Sequence, residues 1–221
     1  MDSYVFVKLA HLLLFAYWLG GDIGVFYSAT FLRKRELGIE ARQTALRILA
    51  WIDMIPRYCL VLMLPVGYML ADRVGAVDLR PGWIAITWLV ALSWLTLVVS
   101  VHRFQGTLLG ERLRKVDLAW RFILVSGLIW DAVRGFRGTG HLLAPWLSAK
   151  VLVYSLCIVC GIGIRIVGKP LVATLRQIFT TGSTPELEDL VVRTQARTRP
   201  MVLTIWALLV TAAFLGIAKP G

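Results

Sequence analysis

Residues 8–22 read KLAHLLLFAYWLGGD, and the polar and large aromatic side chains of this stretch recur every three or four positions. On an α-helix these positions fall within roughly 80° of one another. They are Lys8, His11, Phe15, Trp18 and Asp22. Ionisable groups in a membrane helix cost free energy unless they face protein, water or a cofactor. The pattern therefore predicts a membrane helix whose polar stripe faces the interior of a bundle.

The composition agrees with a membrane-embedded chain. Of 221 residues, 58% are hydrophobic, nine are Trp, and the mean hydropathy is +0.73. Such values are typical of a polytopic membrane protein rather than a soluble domain. We predict an all-α fold, a six-helix transmembrane bundle forming a single domain. The predicted spans are 4–32, 45–71, 83–101, 116–133, 145–167 and 201–218.

The distribution of Lys and Arg predicts the orientation. Basic residues concentrate in the loops after the first, third and fifth spans and are sparse in the other loops. Basic loops remain on the cytoplasmic side of a membrane and face its anionic lipids. We therefore expect a multi-pass protein of a bacterial inner membrane with both termini outside. Contact with the anionic cytoplasmic leaflet accounts for the net charge of +11 without a nucleic-acid partner.

The fourth span and the fifth loop carry the least regular patterns. The uncharged stretch between Arg121 and Asp131 covers only residues 122–130, which is too short to cross a membrane. The fourth span is therefore expected to lie among other helices with its charges paired. In the cytoplasmic loop 168–200, Ser183-Thr-Pro-Glu186 resembles a capping box. This loop is predicted to hold one short helix that ends at Pro200.

A polar cluster is predicted near the outer surface. In the proposed orientation, the depths of five residues coincide: Lys8, His11, Asp131, Arg134 and Lys150. Basic groups predominate, which suits the propionates of a haem or another anionic group. The alternative is a set of Lys and Arg side chains that extend to the membrane surface, with one ion pair. His11 is either a haem-iron ligand or a hydrogen-bonded structural residue, and His141 is the one histidine that can join it at the same depth.

A second polar group is predicted deeper in the bundle. Asp53 and Arg57 stand four residues apart, the spacing and order that favour an ion pair on a helix. Asp22 lies about 16 Å from His11 along the first helix, at a depth comparable with that pair. The three residues are expected to form one buried network. Its role is either to join the first two helices or to mark a proton path.

Several short motifs resemble a known family. They are Lys8-Leu-Ala-His11 with Trp18 and Gly20, Pro56 with Pro65-Val-Gly67, and Trp146-Leu-Ser-Ala-Lys150. In these three segments the chain resembles small membrane proteins related to bacterial membrane protoporphyrinogen oxidase, and copper-resistance D-type membrane proteins. The resemblance implies b-type haem, with His11 as a ligand and Lys150 as a site residue. That family places a second His late in its fifth helix, where this chain has Cys160-Gly161.

Three hypotheses on function follow. The first is a haem-binding integral membrane protein with a redox or haem-linked role, possessing membrane oxidoreductase activity. In it, His11, Lys8, Lys150, Arg134 and Trp18 surround the cofactor, and His11 and His141 are the metal ligands to consider. The second is an accessory subunit of a larger membrane complex or a homo-oligomer. The third is a small proton-coupled transporter that uses Asp22, Asp53 and Arg57.

Overall fold

The computed structural model describes residues 3–220, and every regular element of this range is helical. The prediction of an all-α helical membrane protein is confirmed. The eight helices of residues 3–220 are α1 Ser3–Phe31, α2 Ile39–Ile52, α3 Met54–Arg73, α4 Trp83–Arg103, α5 Leu108–Phe136, α6 Pro145–Val167, α7 Lys169–Thr181 and α8 Pro185–Ala218.

Six long helices pack side by side in a closed ring. Around the ring the order is α1, α3, α4, α5, α6 and α8, and α8 returns to contact α1. The interior is filled by apolar side chains such as Val61, Trp94 and Ile158, which are completely buried. The contact between α1 and α8 is the least extensive of the six. This seam is therefore the weakest boundary of the ring.

The two ends of the bundle differ in character. At one end, a backbone bridge joins Val77 to Leu142, and the Lys219 ammonium lies 5.9 Å from the ring centre of Trp146. We call this the terminal end, because the beginning of α1 and the end of α8 lie there. The opposite end carries α2, α7 and the first half of α8, with most of the Lys and Arg, and we call it the basic end.

Five helical segments of residues 3–220 are long and apolar enough to cross a membrane. They are α1, α2–α3, α4, α6–α7 and α8, and α5 does not meet this criterion. With 29 residues, α5 is about 43 Å long, and it packs between α4 and α6. Its charged residues Asp117 and Arg121 are buried and paired with each other, whereas Phe122, Ile123 and Trp130 form an exposed apolar face. This arrangement suits a helix that keeps its charges toward its neighbours and an apolar face toward lipid.

The predicted span 45–71 is wrong as a single helix. The structure divides it into α2 and α3 at Asp53. The reason is Pro56, which has no N–H to donate to the carbonyl of Ile52 and whose ring crowds that carbonyl. As a consequence α2 is a separate helix at the basic end, with Arg42 and Ala45 buried on one face and Trp51 exposed on another.

The prediction of one short helix within loop 168–200 is also wrong. That region holds α7 and the first half of α8, which continues through Pro200 to Ala218. Pro200 and Ala196, whose carbonyl loses its helical partner, are both exposed, so the proline does not leave a buried polar group. The N-cap is Thr184, whose hydroxyl accepts from Leu187 N, whereas Ser183 donates to Glu188.

A small second core closes the basic end. It joins the end of α1 to α2, α7 and α8, and its buried members are Leu32, Ala45, Leu175, Ile178 and Val191. Arg42 makes two hydrogen bonds to the Glu188 carboxylate, at 2.6 and 3.0 Å, and a third to Leu32 O at 2.7 Å. Both side chains are almost fully buried, with 3% and 2% exposed. We call this assembly the cap.

We predict that Arg42→Leu or Glu188→Leu destabilises the protein by about 3–5 kcal/mol, because each change leaves one buried charge without its partner. The double variant should be less destabilised than the sum of the two single variants. The measurement is the free energy of unfolding in detergent for the four members of the cycle.

Arg193→Leu is the matched control for this cycle. Arg193 pairs with Asp189 on the same helix, but the pair is largely exposed, so its loss should cost at most about 0.5 kcal/mol. Equal losses for Arg42→Leu and Arg193→Leu would show that the buried pair does not hold the cap.

Candidate functional site

His11 lies in the interface between α1 and α3. Its Cε1 atom faces Gly67, where an added Cβ would stand 3.7 Å away. Its Nδ1 atom is buried and has no hydrogen-bond partner among residues 3–220. A buried ring nitrogen without a partner is costly, so this nitrogen is a group that a bound molecule can satisfy.

Lys150 of α6 lies within electrostatic range of the His11 ring. An added Cβ at Gly216 of α8 would stand only 2.6 Å from the Lys150 ammonium nitrogen, so this glycine leaves the space that the ammonium occupies. We call His11 and Lys150, with Gly67 and Gly216 against them, the terminal-half site.

Two other residues of the predicted outer cluster contact groups outside this site. Lys8 is exposed, with its ammonium 5.8 Å from the ring centre of Tyr4. Arg134 is exposed and donates to the carbonyl of Thr139 at 2.6 Å, within the turn that follows α5. Long charged side chains at a helix end commonly reach polar groups or solvent, and the grouping of these two cations with His11 stays a prediction.

His141 and Asp131 form a separate group. The His141 Nε2 atom lies 3.2 Å from Asp131 Oδ2, which also accepts a 2.9 Å hydrogen bond from the Tyr68 hydroxyl. The His141 ring stacks on Trp83, with 6.3 Å between ring centres. Backbone hydrogen bonds such as Asp78 N to His141 O hold the loop in place. The structure thus directs His141 Nε2 to Asp131 and not to His11.

Trp18 is buried between the two halves of the bundle. Its ring meets Tyr154 of α6 edge-on, with 6.4 Å between centres, and the Tyr154 hydroxyl donates to Leu60 O at 2.7 Å. Trp18 therefore joins α1 to α6, while Tyr154 joins α6 to α3. Along α1, Trp18 stands between His11 and Asp22.

In the basic half of the bundle, charged side chains from four parts of the ring meet. Asp53 pairs with Arg57. Asp117 accepts from Arg121 Nε at 3.0 Å and contacts Arg165 Nη1 at 2.9 Å. Arg165 also interacts electrostatically with Asp53 and Arg57. Asp22 interacts electrostatically with the same pair. We call these six residues the charge network.

The deepest part of the charge network is sealed by Trp94 of α4. Its indole N–H lies 3.4 Å from Asp117 Oδ1, and the Arg121 guanidinium stands 5.1 Å from its ring centre. Asp117, Arg121 and Trp94 are all buried. The Nη2 atom of Arg121 has no hydrogen-bond partner among the described residues.

Sequence reasoning found half of this network. Asp22, Asp53 and Arg57 were predicted to meet, but Asp117, Arg121 and Arg165 were not assigned to the same group. A usable signal exists, because Asp117 and Arg121 repeat the acid-then-arginine spacing of Asp53 and Arg57. Arg165 could be assigned only once α6 was known to lie beside α5.

Two cavities lie at the basic end, away from His11. One, of about 350 Å³, is lined by Trp51, Ile52, Met54, Ile55, Tyr58 and His102. The other, of about 600 Å³, is lined by residues of α1 and α2 that include Tyr27, Phe31 and Thr44. Within residues 3–220, no group of three or more His, Cys, Asp or Glu side chains is arranged to hold a metal ion by itself.

We predict that Asp117→Leu lowers the free energy of unfolding by about 3–5 kcal/mol, because Arg121 and Arg165 then face each other without a carboxylate. Removing Arg121 as well, in Asp117→Leu/Arg121→Leu, should restore part of the loss. The readout is thermal unfolding of the purified protein. Asp72→Leu, at an exposed position of α3, is the control, and equal effects at both aspartates would contradict the pairing.

No family model, curated protein or solved structure matches this chain.

Proposed function

We propose that this protein is a haem-binding integral membrane protein with a redox or haem-linked role. The single observation that carries the proposal is the buried Nδ1 atom of His11, which has no hydrogen-bond partner among residues 3–220 and lies within electrostatic range of Lys150. Lys-x-x-His in the first helix is also the motif on which the family resemblance depends. A b-type haem at the terminal-half site would supply one-electron chemistry.

The residues present fit one axial ligand and one anion-binding cation. Imidazole is a common ligand of haem iron, and Lys150 supplies an ammonium for a propionate. Gly67 and Gly216 lack side chains where the His11 ring and the Lys150 ammonium approach them. Because Lys150 is partly buried whereas Lys8 and Arg134 are exposed, we assign Lys150 as the cation that would hold the anionic group. Because His141 contacts Asp131, we infer ligation by a single histidine.

Within this proposal the protein residues have defined tasks. His11 holds the cofactor, Lys150 orients its anionic side, and Trp18 with Tyr154 separates the site from the charge network. The apolar surroundings exclude water from the cofactor, which favours electron transfer over side reactions. A membrane oxidoreductase that exchanges electrons with a membrane-bound partner is the activity that these tasks suit best.

We predict that wild-type protein, produced with ample haem, is purified with a Soret band, and that His11→Ala abolishes the band. His102→Ala is the matched control, because His102 lies at the end of α4 and at the basic end; it should leave the band intact. Size-exclusion chromatography of both variants checks that they are folded.

A colourless wild-type protein would overturn the haem proposal. Stoichiometric co-purification of other membrane proteins in that case would favour the accessory-subunit hypothesis. A Soret band of equal intensity in wild type and His11→Ala would exclude His11 as the ligand, while the bound haem itself would stand.

We further propose that the basic end faces the cytoplasm of a bacterium, in contact with the anionic leaflet of its inner membrane, and that both termini lie outside. Reporter fusions after Gly106 and Ser183 should then both give a cytoplasmic signal, whereas one after Gly138 should give a periplasmic signal. Opposite signals at Gly106 and Ser183 would show that α5 does not cross the membrane and that the proposed orientation is wrong.

A further inference from the structure

The charge network contains three carboxylates and three guanidinium groups, so its formal charges cancel. The acids are not equally paired. Asp117 has two arginine partners and Asp53 has one, but Asp22 makes no ion pair with any described residue. Asp22 is thus the one acid of the network whose charge no arginine neutralises by direct contact.

The surroundings of Asp22 come from every helix packed on that part of α1. The start of α3 contributes Asp53, Arg57 and the buried thiol of Cys59. From α6 comes the buried thiol of Cys157. On α1 itself, the Trp18 indole lies beside the Asp22 carboxyl group. From α8, Arg199 stacks on Phe26, one turn further along α1.

These neighbours make a lone carboxylate costly. The closest acid, Asp53, has the same charge, and Arg57 is already hydrogen-bonded to Asp53. Asp22 is partly buried, and its polar partner is the neutral Trp18 indole. A carboxylate that loses part of its hydration with no cation in contact is stabilised by binding a proton. Asp22 is therefore the carboxyl group of the charge network most suited to bind one.

The network also has an entrance for protons. Asp53 and Arg57 are 29% and 30% exposed, whereas Asp117 and Arg121 are sealed inside the bundle. The Asp53–Arg57 pair is the open end of the network. Asp22 lies next to it, because α1 packs closely on the segment around Asp53: an added Cβ at Gly21 would stand 2.8 Å from Pro56, and one at Gly24 would stand 3.3 Å from Ile52.

We propose that Asp22 is a proton-binding site that exchanges protons with the basic end of the bundle through the Asp53–Arg57 pair. The step is simple: a hydronium ion gives one proton to the Asp22 carboxylate, leaving a neutral carboxylic acid and water. No oxidant or reductant takes part, so this site works whether or not the protein binds haem. The fully paired Asp117 keeps its charge and holds Arg121 and Arg165 in place.

The test is infrared difference spectroscopy of the wild-type protein in lipid nanodiscs, between alkaline and acidic pH. We expect a C=O stretching band of a protonated carboxylic acid that shifts when the protein is labelled with ¹³C at the aspartate carboxyl. Asp22→Asn should lose this band. Asp189→Asn, at an aspartate of α8 outside the network, should retain it.

Asp53→Asn tests whether Asp22 is coupled to the Asp53–Arg57 pair. Removing the adjacent negative charge should lower the pH at which the carboxylic acid band appears. Asp189→Asn should leave that pH unchanged. No aspartate band in wild type at any pH, or a band that persists in Asp22→Asn, would overturn the proposal. The isotope label assigns the band to an aspartate in the wild-type chain, so the wild-type result stands even where a variant fails to fold.

Discussion

A bilayer cannot solvate an isolated charge, and this constraint organises the bundle. The protein places three acids and three arginines in the basic half of its ring and arranges them so that their formal charges cancel. The ion pair within α5 is shared with a second helix, because Arg165 of α6 also contacts Asp117. Sliding α6 along α5 would separate these partners and leave buried charges uncompensated. This part of the network therefore fixes the register of α5 against α6.

The same constraint explains why α5 belongs in the bundle despite its charges. Judged by composition, α5 is too polar to cross a membrane alone. Inside the ring, however, Asp117 and Arg121 satisfy each other, and Trp94 of α4 and Arg165 of α6 complete their surroundings. The neighbouring helices thus provide the partners that the charged residues of α5 need in a membrane. Its insertion thus depends on α4 and α6, whereas α1 and α4 are apolar enough to insert by themselves.

Sequence patterns predicted the fold better than the sites. Long apolar runs identify membrane helices because no other element satisfies its backbone within a segment, so the helical class followed directly. The break at Asp53 was missed because a proline near a helix start is compatible with both one helix and two, and packing decides between them. Spacing on one helix paired Asp53 with Arg57. It could not place His141, because a loop residue's neighbours depend on how α3, α4 and α5 bring Tyr68, Trp83 and Asp131 together.

The unbroken course of α8 has a mechanical consequence. Glu188 fastens this helix to the cap, and Gly216 lies against Lys150 at the other end. The two points are 28 residues apart, about 42 Å along the helix axis. Because α8 is continuous, it holds the Glu188 ion pair and the Lys150 contact at a set separation along one axis, so the cap and the terminal-half site share one structural element. Pro200, where one backbone hydrogen bond is missing, is the position at which α8 bends most easily.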